Sequence, residues 1–318
     1  VKAIVIRSFG GPEGLEMVDL PTPRPAAGQV LVATEAIGVG GVDVLIRRGA
    51  LAAYGFAPGF VPGGESAGTV TETGPGVDPA WRGRRVWAAS GAGGSYAEYV
   101  LAPADQLVPL PPDLTPAAAV TLGSAGAVAH FGLDRARLAA GERVLVRGAS
   151  GSLGIAAVQL AARAGAVVTA TASAPDRAAR LRALGAAETT GRTPTPGAAP
   201  YDVILDVVSG PDLPAFLGLL APNGRLVSVG AVGGQPPEDF GTHLMTAFQK
   251  SLTFATLSLA TIAPEALRTL RTTHFAAAAR GDLTTVVHAT LPLTEAAAAH
   301  AEMDTGNVFG RLVLTPGN

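Results

Sequence analysis

Apolar and polar positions follow three rhythms along the 318-residue chain. In the first third, short apolar or alternating runs are cut by Gly and Pro. Segments 30–36 (VLVATEA), 66–70 (SAGTV) and 85–88 (RVWA) read as strands, with turn clusters such as Pro21-Thr22-Pro23-Arg24-Pro25 between them. After Pro116 the rhythm changes. Apolar strand runs at 143–147, 167–171, 203–207, 225–229 and 252–257 alternate with Ala-rich helical stretches. That alternation predicts βαβ units, hence a parallel sheet covered by helices on both faces. The last part predicts a helix over 264–280, a strand at 286–291, a helix from Thr294 and a final strand at 311–314. The expected class is α/β: a β-rich domain over 1–117, a doubly wound parallel sheet over 118–262, and a segment 263–318 that returns to the first domain.

Composition narrows the function classes. Hydrophobic residues make up 48% of the chain and charged residues 15%, which excludes a disordered, self-solvating protein. The net charge of −2 offers no general attraction to nucleic acid or anionic lipid. The densest basic patch is only Arg82, Arg84 and Arg85. Neither a nucleic-acid nor a membrane partner is expected. The uncharged run from Leu114 to Leu133 reaches membrane-spanning length, but its small residues and Pro116 predict a buried helix. Val1 to Val5 begins directly as a strand without a signal-peptide pattern, so a cytoplasmic protein is expected. Cysteine is absent, which removes disulfides, thiolate nucleophiles and Cys-based zinc sites.

Candidate chemistry concentrates in Val144–Gln159, VLVRGASGSLGIAAVQ. A strand runs into a turn of Gly, Ala and Ser, and a helix follows. Small residues leave backbone N–H groups uncovered, and uncovered N–H groups at a helix start attract anions. Ala149-Ser150-Gly151-Ser152-Leu153-Gly154 is a variant of the dinucleotide fingerprint, with Ala at the usual first Gly. In that pattern Gly151 lets a pyrophosphate approach and Gly154 lets helix pack on strand. The competing reading is a Gly-rich turn that binds nothing. A mononucleotide phosphate loop fails for want of Gly-Lys-Ser/Thr, and a nucleophile elbow fails because Ser152 stands where Gly is required.

The next strand, Val167 to Thr171, should end near the adenosine ribose. An NAD-preferring site places a carboxylate there to take the 2′-hydroxyl. This chain has Ala172-Ser173-Ala174, then Arg177. A hydroxyl and a guanidinium suit a 2′-phosphate, so NADPH is expected over NADH. Asp176 reads as a first-turn helix residue pointing away. The plain alternative for Arg177 is a solvated helix charge.

Eight segments in order carry a resemblance. They are Gly38-Val39-Gly40-Gly41-Val42-Asp43 with Arg47-Arg48-Gly49, then 62–68 (PGGESAG), 94–99 (GSYAEY) and the fingerprint region. Leu184-Gly185-Ala186, Tyr201 to Asp206, Gly224 to Val227 and Gly310 to Leu314 follow. The chain resembles the zinc-independent quinone oxidoreductases, the zeta-crystallin-like branch of the medium-chain dehydrogenase/reductase superfamily. The resemblance implies a GroES-like β-rich catalytic domain with a Rossmann domain, NADPH as cofactor, and hydride transfer to a quinone or an α,β-unsaturated carbonyl. It implies cofactor contacts at Ser150, Gly151, Ser152, Leu153, Gly154, Ser173, Arg177, Arg192, Val207, Val229, Gly230, Ala231 and Asn307. It implies a homodimer through the edge strand at 252–257.

The departures are informative. Zinc-dependent relatives carry Gly-His-Glu where this chain has Gly63-Gly64-Glu65, and none of the five histidines forms an i,i+4 pair, so no metal is expected. The family has Asn at Gly40, Tyr near Leu51 and often Thr at Val128. With Asp43, these three positions are the expected substrate pocket, and it has lost polarity. Tyr54 is the candidate proton donor, with a surface loop aromatic as the competing reading. Asp43 and Glu65 are expected to order loops, and His130 to be structural. The activity expected is an NADPH-dependent reductase of quinones or activated C=C bonds. A specialised reductase of biosynthetic enones and a non-catalytic NADPH-binding protein are the alternatives.

Overall fold

The computed structural model describes residues 1–193 and 199–317. The chain divides into two compact units: Val1–Ser124 with Ala263–Asn318, and Ala125–Ile262. The first unit begins with an antiparallel ribbon of β1 (Lys2–Ile6) and β2 (Leu15–Asp19). There follow β3 (Gln29–Val39), a short helix α1 (Gly41–Arg47), β4 (Glu65–Thr73), β5 (Arg85–Ala89), β6 (Tyr99–Pro103) and β7 (Val108–Pro109). β3 pairs antiparallel with both β4 and β6, and its Val30, Leu31, Val32, Ile37 and Val39 are all buried. The expectation of strands with few helices holds here.

α2 (Pro116–Arg135) contains the point at which the two units divide. It is long and apolar enough to cross a membrane by length and composition, and 61% of its apolar window is buried.

The second unit holds β8 (Arg143–Arg147), α3 (Ser152–Arg163), β9 (Val167–Thr171), α4 (Pro175–Ala183), β10 (Glu188–Thr190) and β11 (Tyr201–Asp206). It continues with α5 (Leu213–Leu217), β12 (Leu220–Ser228), α6 (Phe240–Thr246) and β13 (Thr253–Thr256). The sheet order is β10-β9-β8-β11-β12-β13, and every pair is parallel. This is the 3-2-1-4-5-6 order of the Rossmann fold, whose strand order reverses between β8 and β11. Continuous apolar runs explain its legibility, since Val144–Val146 and Val203–Leu205 are at most 1% exposed.

The C-terminal segment forms α7 (Pro264–Ala279), β14 (Val287–Pro292), α8 (Ala296–Asp304) and β15 (Arg311–Thr315). β15 pairs antiparallel with β3, Leu312 opposite Val39 and Leu314 opposite Ile37. The first unit's sheet therefore runs β14-β15-β3-β4-β5-β7, with β6 also on β3. Ile4, Ile6, Ile37, Val39, Leu312 and Leu314 share one apolar cluster with Leu293, Ala296 and Ala299.

Candidate functional site

In the second unit the sheet's reversal point supplies the site. β8 ends at Arg147 and the chain turns through Gly148 at φ +80°. Gly148 N–H donates to Thr171 Oγ1 (3.0 Å), tying the turn to the end of β9. Gly151 caps α3 in an extended conformation (φ −77°, ψ 164°). A Cβ there would meet nothing within 4 Å, so the space before the helix N-terminus is open. At Gly154 a Cβ would lie 2.4 Å from the Gly148 carbonyl oxygen and 2.5 Å from Ala149 Cα. Only glycine lets α3 start so close to the turn. Ser150, Ser152 and Leu153 lie on the same turn and first helical residues.

The neighbouring strand ends converge on that turn. A Cβ on Gly148 would lie 3.1 Å from Val207 Cβ, and one on Gly230 would lie 2.4 Å from the Val207 carbonyl oxygen. Val229 N–H donates to the Asp206 carbonyl (2.8 Å). Hence 148–154, Val207 and Val229–Ala231 form one cluster. β11 stops at Asp206, one residue before the strand read from sequence, because the Asp206 carboxylate accepts from Val208 N–H (2.8 Å) and Ser209 N–H (3.1 Å) and turns the chain. β9 ends without a carboxylate. Ser173 is exposed there, and its Oγ accepts from Arg177 Nη1 at 3.0 Å. Asp176 is exposed in the first turn of α4, and Arg192 is exposed beyond β10. Val128 lies on α2 within this unit. Asn307 belongs to the other unit, exposed on the loop before β15.

In the first unit, Gly40, Asp43, Leu51 and Tyr54 follow β3. Asp43 is 1% exposed, and its carboxylate accepts from Gly40 N–H (2.8 Å) and Gly63 N–H (3.0 Å), holding two loops together. Burial raises its pKa to about 6, against the pull of those two N–H groups and of Arg311. Glu65, 2% exposed, accepts from Trp87 Nε1 (2.9 Å), Ser124 N–H (3.0 Å) and Arg311 Nη2. A Cβ on Gly38 would lie 2.4 Å from Arg311 Nη2, so any larger residue would push the guanidinium from this place. Arg271 stacks 4.3 Å over Trp87 and donates to the Gly123 carbonyl (3.1 Å). Leu51 packs on the cluster around Ile46, whereas Tyr54 is 77% exposed. Sequence reading gave Glu65 a loop-ordering role but missed Arg311, 246 residues away.

Behind Asp43, Tyr96 Oη and His300 Nε2 share a buried hydrogen bond of 3.0 Å. Burial, then the nearby Arg47, lowers the His300 pKa to about 4, and Asp304 opposes them. His300 and Asp43 therefore pull stability in opposite directions. As pH falls from about 6.5 to 4 the unfolded chain protonates His300 more readily, and stability is lost. From about 6 to 4 the native state protonates Asp43 more readily, and stability is gained. Each shift is worth about 3 kcal/mol, so the two contributions oppose one another across pH 4–6. His300→Gln should remove the losing arm: its stability relative to the parent should improve by about 3 kcal/mol between pH 7 and pH 4. Denaturant titrations at both pH values read this, and a pH-independent difference would overturn it.

There is no cysteine, Gly64 carries no ligand, Glu65 is spent on three donors, and no cluster of three His, Asp or Glu suited to a metal occurs among the described residues.

Comparison with known proteins places this geometry. Residues 26–112 match the alcohol dehydrogenase GroES-like domain, and 184–314 match the zinc-binding dehydrogenase family. Mouse quinone oxidoreductase is 31% identical, the match covering 99% of this chain and 97% of that protein. A mycobacterial protein solved in complex with NADPH is 31% identical with a TM-score of 0.91, covering 99% of this chain and 100% of that one. A mycocerosic acid synthase-like polyketide synthase of Mycolicibacterium smegmatis is 33% identical over 98% of this chain, which spans only 15% of that protein's length. With a GroES-like first unit and a Rossmann second unit, the chain belongs to the quinone oxidoreductase branch of the medium-chain dehydrogenase/reductase superfamily.

Proposed function

We propose that the chain is an NADPH-dependent oxidoreductase that passes hydride to a quinone or to the C=C bond of an α,β-unsaturated carbonyl, without zinc. The open space at Gly151, before the N-terminus of α3 and at the sheet's reversal point, is the observation that carries this reading. There the free N–H groups and the helix dipole favour a pyrophosphate. NADPH in the mycobacterial relative supports the choice of dinucleotide. When bound, NADPH supplies the hydride. The chain's part is to hold it: the 150–154 turn takes the pyrophosphate, Ser173 with Arg177 and Arg192 takes the 2′-phosphate, and Val207 with Val229–Ala231 takes the nicotinamide half.

Gly40, Asp43 and Leu51 are the acceptor-facing positions in this reading. Negative charge develops on the acceptor's carbonyl oxygen and needs a donor. Asp43 already accepts two backbone N–H bonds, which suits loop order rather than proton delivery. Tyr54 is the side-chain candidate, and unchanged turnover in Tyr54→Phe would remove it.

NADPH oxidation measured with a para-quinone and with an enone, side by side, tests the function. Quinone turnover keeps the quinone assignment. Enone turnover alone makes the protein a double-bond reductase. The match to a polyketide synthase over 98% of the chain favours that second reading, with the acceptor a biosynthetic enone. Binding without turnover of either would make it a non-catalytic NADPH-binding protein. Arg177→Ala should raise the KM for NADPH about tenfold, the worth of one charge-assisted phosphate contact, and leave that for NADH unchanged. An equal change for both would overturn the 2′-phosphate assignment.

The protein is proposed to act on a small molecule in the cytoplasm, independent of nucleic acid and membrane, as a homodimer. β13 is the last strand in its sheet order and offers an edge for pairing with a second copy. A monomer by light scattering would end that suggestion.

A further inference from the structure

Arg147 is the last residue of β8, directly before the cofactor turn, and Asp206 is its register partner on β11. Both are buried, at 4% and 0% exposure. One guanidinium holds three parts of the chain. Arg147 Nη1 donates to the Asp206 carboxylate (3.2 Å) and the Ser209 carbonyl (2.9 Å), and Nη2 donates to Asp212 Oδ1 (2.6 Å). Its plane lies 4.1 Å over the ring of Phe216. The segment so gripped is awkward to make. Ser209 (φ +56°) and Gly210 (φ +93°) are consecutive left-handed residues, and a left-handed serine is strained.

The gripped segment supports the next one. Val208 accepts from Gly233 N–H (2.8 Å), and Gly230 packs on the Val207 carbonyl so closely that a Cβ would clash. A Cβ on Gly233 would likewise lie 2.9 Å from Val208 Cγ1. Val207–Gly210 is thus a floor under Val229–Gly233. These two segments hold the nicotinamide half in the proposed function, whereas Ser173 and Arg177 stand at the end of β9, on the other side of β8.

The geometry points to Arg147 as a positioning residue for the nicotinamide half of the cofactor, acting through Asp206, Ser209 and Asp212 on the two loops that receive it. This rests on the NADPH reading. The clamp sets no contact at the adenine end, so its loss should split the two halves of the ligand.

The experiment compares dissociation constants for NADPH and for adenosine 2′,5′-bisphosphate, the adenine half alone. Arg147→Met keeps the stack on Phe216 but leaves Asp206 buried and unpaired, which can unfold the unit. The double variant Arg147→Met/Asp206→Asn removes both charges while leaving an acceptor for Val208 and Ser209 N–H. It should weaken NADPH about tenfold or more, as misplaced binding elements do, with adenosine 2′,5′-bisphosphate kept within about twofold. Asp212→Asn, which cuts one arm at a half-exposed site, should move NADPH the same way by less. Unchanged NADPH affinity in the double variant, or equal weakening of both ligands, overturns the inference. A parent protein that binds neither ligand overturns the NADPH reading beneath it.

Discussion

A carboxylate placed at position 151 is expected to weaken NADPH binding severely and to leave the fold as firm as before. Gly151 caps α3 with an extended backbone that any residue adopts, and a Cβ there meets nothing within 4 Å. Asp is a better N-cap than Gly by a few tenths of a kcal/mol, so Gly151→Asp should keep or slightly raise the melting temperature. In the proposed function the pyrophosphate would lie before this helix N-terminus, and that carboxylate would repel it. Like charges about 4 Å apart cost about 1 to 4 kcal/mol between water and a protein-surface dielectric, before counting the lost approach to the N–H groups. NADPH affinity should fall about a hundredfold or more. Calorimetric titration and a thermal melt read both halves of this prediction. NADPH binding within about threefold of the parent would mean the pyrophosphate lies elsewhere.

The largest loss of stability is expected at Glu65. In Glu65→Gln the new amide can still accept from Trp87 and Ser124, but its NH₂ then faces the Arg311 guanidinium, leaving that cation short of its partner. Breaking a buried ion pair from one side costs about 3–5 kcal/mol. Asp43, whose carboxyl feels both charges, should respond as well: its pKa is raised by Glu65 and lowered by Arg311. Glu65→Gln removes the first influence, so Asp43 should titrate lower. Denaturant unfolding reads the stability, and carboxyl-region NMR the titration. A stability loss below about 1 kcal/mol, the scale of surface pairs, would mean that the Arg311 contact is screened by water.

How much of this was legible in the sequence depends on how local each cause is. The parallel sheet was readable because strands buried on both faces appear as unbroken apolar runs, as at Val144–Val146. The fingerprint turn was readable because its glycines meet demands made within a few residues, Gly154 against Gly148 and Ala149. α1 and β2 were not singled out: seven residues are too few for a helical periodicity to stand out, and β2 (LEMVD) carries neither an unbroken apolar run nor a strict alternation. β12 begins five residues before the run 225–229, because Ala221 to Gly224 carries no apolar alternation and pairing with β11 alone defines it.

The ion pairs were the least legible part of the site. Arg147 read simply as the end of a strand, and nothing in its neighbours foretold Asp206, 59 residues on. Arg311 read as a strand residue near the C-terminus. Its role follows from β15 pairing with β3, which sets the guanidinium over Gly38. Charge pairing of this kind carries no periodic signal. It appears only once topology has brought distant strands together.

The nesting of the second unit inside the first has a consequence for how the protein is made. Ala125–Ile262 is a continuous stretch of chain, so all its strands have emerged once Ile262 leaves the ribosome. The first unit waits for β15, which closes its sheet against β3. Glu65 is thus synthesised 246 residues before Arg311, and at roughly 5–20 residues per second its partner follows about 12 to 50 seconds later. Translation order therefore favours the Rossmann unit, whose contacts close over shorter loops, and leaves the GroES-like unit as the late, slow step. Arg311, in the last strand of this unit, carries the cation that settles its core, so the unit's assembly is gated by the synthesis of β15 rather than by its own first residues.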